Sequence, residues 1–180
     1  MSATEVTPIV PTGTWAADPI HSSIGFSVTH MEVDTFTGSF TAFDATLAVD
    51  GEPRLSGRAR VESIVTKDEN LNAHLLSPEF FDVDRFPELR FESTSIRREG
   101  DALTVDGELT IRGVTRPVEL RGSITGPITD PYGRERLGLV LETVVDRTEF
   151  GLSWNAELPA GGRVLADEVT LTARLALVRS

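Results

Sequence analysis

An all-β fold of about eight antiparallel strands with one short helical insert, over about 67–83, is predicted by three features of this 180-residue sequence. Apolar and polar residues alternate with period two along segment after segment, which marks strands with one buried and one wet face. The links between these segments are short and carry turn chemistry, so neighbouring strands run antiparallel, since parallel pairs need long crossovers. One stretch, Asn72-Ala-His-Leu-Leu-Ser-Pro-Glu-Phe-Phe-Asp-Val-Asp-Arg-Phe-Pro87, breaks the rhythm with an apolar, Phe-rich helical run.

The strand candidates are 22–30, 39–49, 55–65, 88–98, 102–111, 116–128, 137–146 and 168–178. In the first, Ile24, Phe26, Val28 and His30 share one parity against Ser23, Ser27 and Thr29. Ala59, Val61 and Ser63 alternate with Arg58, Arg60 and Glu62. Leu103, Val105, Leu109 and Ile111 do so against Thr104, Asp106, Glu108 and Thr110. Val118, Leu120, Ile124 and Ile128 follow, then Leu137, Leu139 and Leu141, then Val169, Leu171, Leu175 and Leu177. Turns are expected at Glu99-Gly-Asp101, Arg112-Gly-Val114 and Asp130-Pro-Tyr-Gly133. Such a set suits a sandwich or an up-and-down barrel, and closure into a barrel removes the exposed sheet edges. Gly107, Gly122 and Gly126 fall at inward parity, where glycine leaves room for a cavity or marks a bulge.

The insert begins at Thr66-Lys-Asp-Glu69, which has the form of a capping box. Leu71, His74 and Leu75 line one helical face; Ser77-Pro78 then opens a second short turn, and Pro87 stops the segment. A helix in an all-β chain covers something, and in a closed barrel the open end is the place to cover.

The formal charge of −11, with seventeen scattered basic residues, argues against nucleic acid and anionic membrane surfaces as partners. The absence of cysteine removes thiol catalysis, thiolate zinc sites and disulfides. Residues 1–12 hold neither a basic cluster nor an apolar run, and read as a flexible tail before a domain over 13–180. With no segment near the ~20 apolar residues of a membrane span, a soluble, cytoplasmic protein is the expectation. Nine Phe beside one Tyr is an apolar bias that suits a hydrocarbon pocket or a filled core.

Catalytic signatures are missing from the sequence. No Gly-x-Ser-x-Gly elbow, phosphate loop or dinucleotide fingerprint occurs, and Asp82 and Asp84 carry little weight in so acidic a chain. His21, His30 and His74 could form a zinc site, but none of them has helical ligand spacing to another. His30 sits at inward parity, as a core histidine, a polar contact to a ligand, or a metal ligand.

Five motifs then carry a resemblance: Asp18-Pro-Ile-His-Ser-Ser-Ile-Gly-Phe-Ser-Val-Thr-His30, Gly38-Ser-Phe40, His74-Leu-Leu-Ser-Pro-Glu-Phe-Phe-Asp-Val83, Leu109-Thr-Ile-Arg-Gly-Val-Thr-Arg-Pro-Val118 and Phe150-Gly-Leu-Ser-Trp154. In order and spacing they resemble the YceI-like family, bacterial lipocalin-like proteins that bind polyisoprenoids and similar long amphipathic lipids. The resemblance implies an eight-stranded antiparallel lipocalin-like barrel with an apolar tunnel, the helical insert near its mouth, a possible homodimer, and neither cofactor, metal nor catalysis. Where the family often reads Arg-Asp-x-His-Leu-Arg-Ser, this chain has Leu71-Asn-Ala-His-Leu-Leu-Ser77, which favours a neutral lipid such as an isoprenoid quinone over a pyrophosphate. On this reading Ile24, Phe26, Val28, Phe36, Phe40, Phe80, Phe81, Val105, Leu120, Leu139 and Leu171 line the tunnel, with His30 and Asn72 as polar contacts near a head group. The rival readings are an enzyme acting on a lipophilic ester or prenyl substrate, and a stress-linked interaction protein that uses the barrel as scaffold.

Overall fold

A computed structural model describes residues 10–180. The strands are β1 Gly13–Ala17, β2 Ser23–His30, β3 Asp34–Phe40, β4 Phe43–Asp50, β5 Glu52–Arg60, β6 Ile64–Val65, β7 Glu88–Glu99, β8 Ala102–Ile111, β9 Val114–Thr129, β10 Glu135–Asp146 and β11 Leu165–Arg179, with helix α1 at Glu69–Leu76. They form a closed antiparallel barrel of eight staves, because the first three staves are each broken in two. β1 with β2, β3 with β4, and β5 with β6 make those broken staves; β7 to β11 supply the rest. Closure is at β11, whose free edge pairs with β2 from Leu165↔His30 to Arg174↔Ser23 and with β1 at Ala17↔Leu177 and Trp15↔Arg179.

The breaks have local causes. Between β1 and β2, Pro19 has no N–H for a ladder, and Asp18 accepts from the Ile20 N–H at 3.0 Å to close a turn. The other two breaks lie side by side: Thr41 N–H donates to Ser63 O and Arg60 N–H to Ala42 O, flanking a one-turn 3-10 helix at Val61–Ser63. Inward parity flips across each break, from Phe40 to Ala45, Leu47 and Val49 and from Ala59 to Ile64, so the single strands expected over 39–49 and 55–65 are each two strands in register with different neighbours. β1 escaped sequence reading because it is short and has one large inward residue, Trp15. The expected tail over residues 1–9 lies outside the described residues; Val10 is already buried against the core.

Two apolar clusters divide the interior. Trp15, Leu47, Val49, Leu103, Val105, Ile124, Leu137, Leu139 and Leu177 fill one end solidly. The other cluster, including Phe40, Ala59, Leu75, Phe80 and Phe150, surrounds the open end, the mouth. Gly107 and Gly122 prove to be sites of close approach rather than cavity wall. A Cβ on Gly122 would collide with the Val140 carbonyl, and one on Gly107 would lie 2.5 Å from the Glu92 carbonyl oxygen and from the Phe91 ring. Gly126 has φ of +100°, a backbone position that favours glycine.

The solid end is tied by ions. Arg136 donates to Asp130 at 2.8 Å and to Asp18 at 3.3 Å, while Asp130 also accepts from the Tyr132 and Arg134 N–H groups. The hydrogen bond from His21, joined by those from Ile20 and Arg136, lowers the Asp18 carboxyl to about 2. Arg136, with the two backbone donors, does the same for Asp130. Both carboxyls are depressed from an ordinary 3.8, so their contribution is complete above about pH 4 and is lost as pH falls toward about 2. Thermal unfolding followed by circular dichroism should show the melting temperature dropping through that window. Asp130→Asn should be less stable at neutral pH and show a shallower acid limb.

Candidate functional site: an apolar cavity under an aromatic lid

The mouth half of the barrel encloses a cavity of about 200 Å³ with an almost wholly apolar wall. Antiparallel register puts its aromatic side together. Val28 pairs with Phe36, Phe26 with Gly38 and Ile24 with Phe40, and all but Gly38 line the cavity. A Cβ on Gly38 would lie 2.4 Å from the Phe26 ring, so only glycine lets that ring lie across β3. Phe26 then meets Phe36 edge-on at 5.7 Å, and Phe40 meets Phe81 edge-on at 5.8 Å. Leu171, the cross-strand partner of Phe26, and Leu120 on β9 continue the wall, and the small residues Ala45, Ala59 and Ala173 leave the space open.

The lid is the helical insert. Its N-cap is Asp68, which accepts from the Asn70 N–H at 2.8 Å, rather than Thr66 as the capping-box pattern suggested. Thr66 instead donates through its hydroxyl to Asn72 Oδ1 at 2.5 Å. Ser77 ends the helix, and the chain then folds back over it: Phe81 N–H donates to Leu75 O and Val83 N–H to Leu76 O. Asp82, at φ +53°, makes that reversal and turns Phe80 and Phe81 into the cavity. A second segment, 147–164, closes from the other side. The Trp154 ring meets His74 edge-on at 4.9 Å and Phe80 at 5.4 Å, while His74 bonds Glu79 at 2.5 Å.

Four residues expected at the site lie elsewhere. Val105 and Leu139 point inward but belong to the solid end, beyond the floor of the cavity. Asn72 spends its side-chain oxygen on the Thr66 N–H and hydroxyl, pinning the start of α1. His30 sits at the hairpin tip, bonded to Asp34 at 2.9 Å. The three histidines pair with three different carboxylates, those of Asp18, Asp34 and Glu79. Among the described residues no group of three or more His, Asp or Glu side chains is placed to hold a metal.

Sequence reading missed further wall residues. Leu89, Phe91, Leu109, Val145 and Val169 were legible by parity within the expected strands. Arg147, which also lines the cavity, gave no such signal. It is 5 % exposed and donates to Ala166 O at 2.8 Å, to Trp154 O at 2.9 Å and to Leu152 O, pinning the 147–154 turn to β11. Desolvation lowers its pKa, opposed by Asp167. Arg58 and Arg90 border the cavity too, but their side chains are more than half exposed.

A barrel solid at one end and hollow at the other, lidded by an aromatic insert, has the architecture of the lipocalin-like class. The chain belongs to the YceI-like family: the YceI-like domain profile matches residues 15–177. It is 33% identical over 137 residues to Protein YceI of Salmonella newport (strain SL254), a match covering 74% of this chain and 72% of that protein. Among solved structures, BcnA of Burkholderia cenocepacia superposes with a TM-score of 0.73 at 22% identity, over 91% of this chain and 99% of that one. A polyisoprenoid binding domain from Saccharophagus degradans, implicated in plant cell wall breakdown, superposes with a TM-score of 0.66 at 12% identity, over 94% of this chain and 100% of that one. At these identities the structural likenesses establish the fold. Among the described residues no helix is long and apolar enough to cross a membrane.

Proposed function

We propose that this protein binds one long-chain, isoprenoid-type lipid in the mouth-end cavity and sequesters or carries it, without chemical turnover. The observation behind this reading is the apolar cavity itself, walled by Phe26, Phe36, Phe40, Phe80 and Phe81. Burying hydrocarbon there contributes about 0.8 kcal/mol per CH₂, so a long tail needs few polar contacts. The Saccharophagus degradans domain of the same fold, described as polyisoprenoid binding, points to the same ligand class.

The lipid is read as neutral. Leu71 and Leu76, which stand where the family often has arginine, pack against the mouth cluster. At about 200 Å³ the cavity is smaller than the ~300–1,000 Å³ typical of small-molecule pockets. A long chain therefore enters by displacing the Phe80–Trp154 lid or leaves part of its tail between lid and rim.

Native mass spectrometry of the protein purified from its own host, followed by solvent extraction, tests the proposal. The expected result is a stoichiometric isoprenoid lipid, a polyprenol or an isoprenoid quinone, released only on denaturation. A ligand-free protein that also fails to take up added polyprenols would overturn it.

A further inference from the structure

Among the described residues, two fully covered side-chain atoms lack a hydrogen-bond partner, and they lie together beside the cavity. Arg147 Nη2 has no hydrogen-bond acceptor and Asp167 Oδ1 has no donor, and both are shut off from solvent. They face each other at 3.9 Å, too far for a hydrogen bond. Arg147 lines the cavity, and Asp167 lies in an irregular stretch of β11 between two other wall residues, Leu165 and Val169. An unpaired buried donor and an unpaired buried acceptor each carry a desolvation penalty, and one small group that both accepts and donates relieves the two together.

We propose that Arg147 and Asp167 form the head-group site, and that the head group is a neutral hydroxyl, so that the ligand is a long-chain alcohol. This rests on the lipid-carrier reading and specifies its ligand. Both atoms are covered and Asp167 does not itself line the cavity, so its 37 % exposed side chain shifts outward to admit a hydroxyl oxygen, which accepts from Arg147 Nη2 and donates its proton to Asp167 Oδ1, about 2.9 Å from each. An ether or a quinone carbonyl satisfies only the arginine. A phosphate is disfavoured because the local charge is already balanced. Asp167 Oδ2 faces Arg163 at 3.5 Å, and Asp146, which caps Thr148, is the second carboxylate acting on Arg147. An anion added to two cations and two carboxylates is buried without a counter-charge.

The test is competition by native mass spectrometry with three ligands of one chain length: geranylgeraniol, its methyl ether and its monophosphate. Wild-type protein is expected to take the alcohol over the ether by about tenfold, the worth of one charge-assisted hydrogen bond, and to exclude the phosphate by a similar factor. Asp167→Ala should bring the alcohol-to-ether ratio close to one and raise phosphate occupancy. Asp167→Asn, which keeps the shape and an acceptor oxygen, should retain part of the alcohol preference yet also gain phosphate. A wild-type alcohol-to-ether ratio near one overturns the proposal without any variant. So do ratios that Asp167→Ala and Asp167→Asn leave unchanged; in both cases the carrier reading stands. Failure of all three ligands to bind wild-type protein removes the carrier reading as well.

Discussion

Ala59→Phe is expected to abolish lipid uptake while leaving the barrel folded. Ala59 is 4 % exposed on β5 and its methyl group forms part of the cavity wall, paired across the sheet with Phe43 and Leu89. A phenyl ring there occupies the space a lipid tail would take, in a cavity of only about 200 Å³. Displacing about four buried CH₂ groups of ligand forfeits roughly 3 kcal/mol, a loss of about a hundredfold or more in affinity. Over-packing a full core costs ~1–3 kcal/mol, but here the ring enters vacant volume, so the stability change should stay at or below the bottom of that range. Ala48 on β4, at the outward parity between the buried Leu47 and Val49, is the control site. Lipid occupancy by native mass spectrometry should vanish in Ala59→Phe and persist in Ala48→Phe, with similar far-ultraviolet circular dichroism for both. Undiminished occupancy in Ala59→Phe would mean that the lipid sits elsewhere.

Arg147→Ala should cost about 3–5 kcal/mol of folding stability, the range for removing one member of a buried charged network. Its loss strips the donor from the carbonyls of Leu152, Trp154 and Ala166, which together bind the 147–154 turn to β11. Trp154 then loses its anchor, and with it the ring contacts to His74 and Phe80 that hold the two lid segments together. Lysine at this position should recover little, because one ammonium cannot reproduce a guanidinium fork reaching three carbonyls. Arg163→Ala, at a side chain 59% exposed, should change stability by no more than about 0.5 kcal/mol. Urea unfolding curves for the four proteins separate these outcomes; equal midpoints for Arg147→Ala and Arg163→Ala would show that the buried guanidinium contributes nothing to the fold.

Why the wall was readable and Arg147 was not follows from what alternation encodes. Period two tells whether a side chain points in or out, which is why Ile24, Phe26, Val28, Leu120 and Leu171 fall on the cavity; Phe36 and Phe40 join them as members of the Phe-rich first half. It does not tell height along the barrel axis. Val105 and Leu139 share the inward parity of those residues but sit in the solid end. Height depends on stagger between strands, which is settled by pairings such as Val105↔Leu120 and Leu139↔Leu175 that local sequence does not announce. His30 shows the same gap at the rim: parity aims it inward, and the hairpin tip leaves Asp34 as its partner. Arg147 is a charged residue just past the end of β10, where sequence reading expects solvent. Its burial comes from three backbone carbonyls gathered from two places in the chain, the turn at Leu152 and Trp154 and β11 at Ala166.

The broken staves leave a mark on how the molecule can move. β3 pairs with β2 along its whole length, but its other edge meets only Ser39↔Val65 and Phe40↔Ile64. From Asp34 to Gly38 that edge has no strand beside it. The opposite end also has an unpaired stretch, Glu52–Leu55 of β5 beside β7, but its interior is held by a continuous cluster of buried side chains around Trp15, Val105, Leu137 and Leu177. Cooperative units with fewer buried contacts and fewer ladder bonds open at lower free energy than the whole. The barrel is thus two halves of unequal permanence: one keeps the topology, and the other is free to breathe on a faster clock. On the proposed reading, a bound lipid exchanges through the looser half without the barrel unfolding.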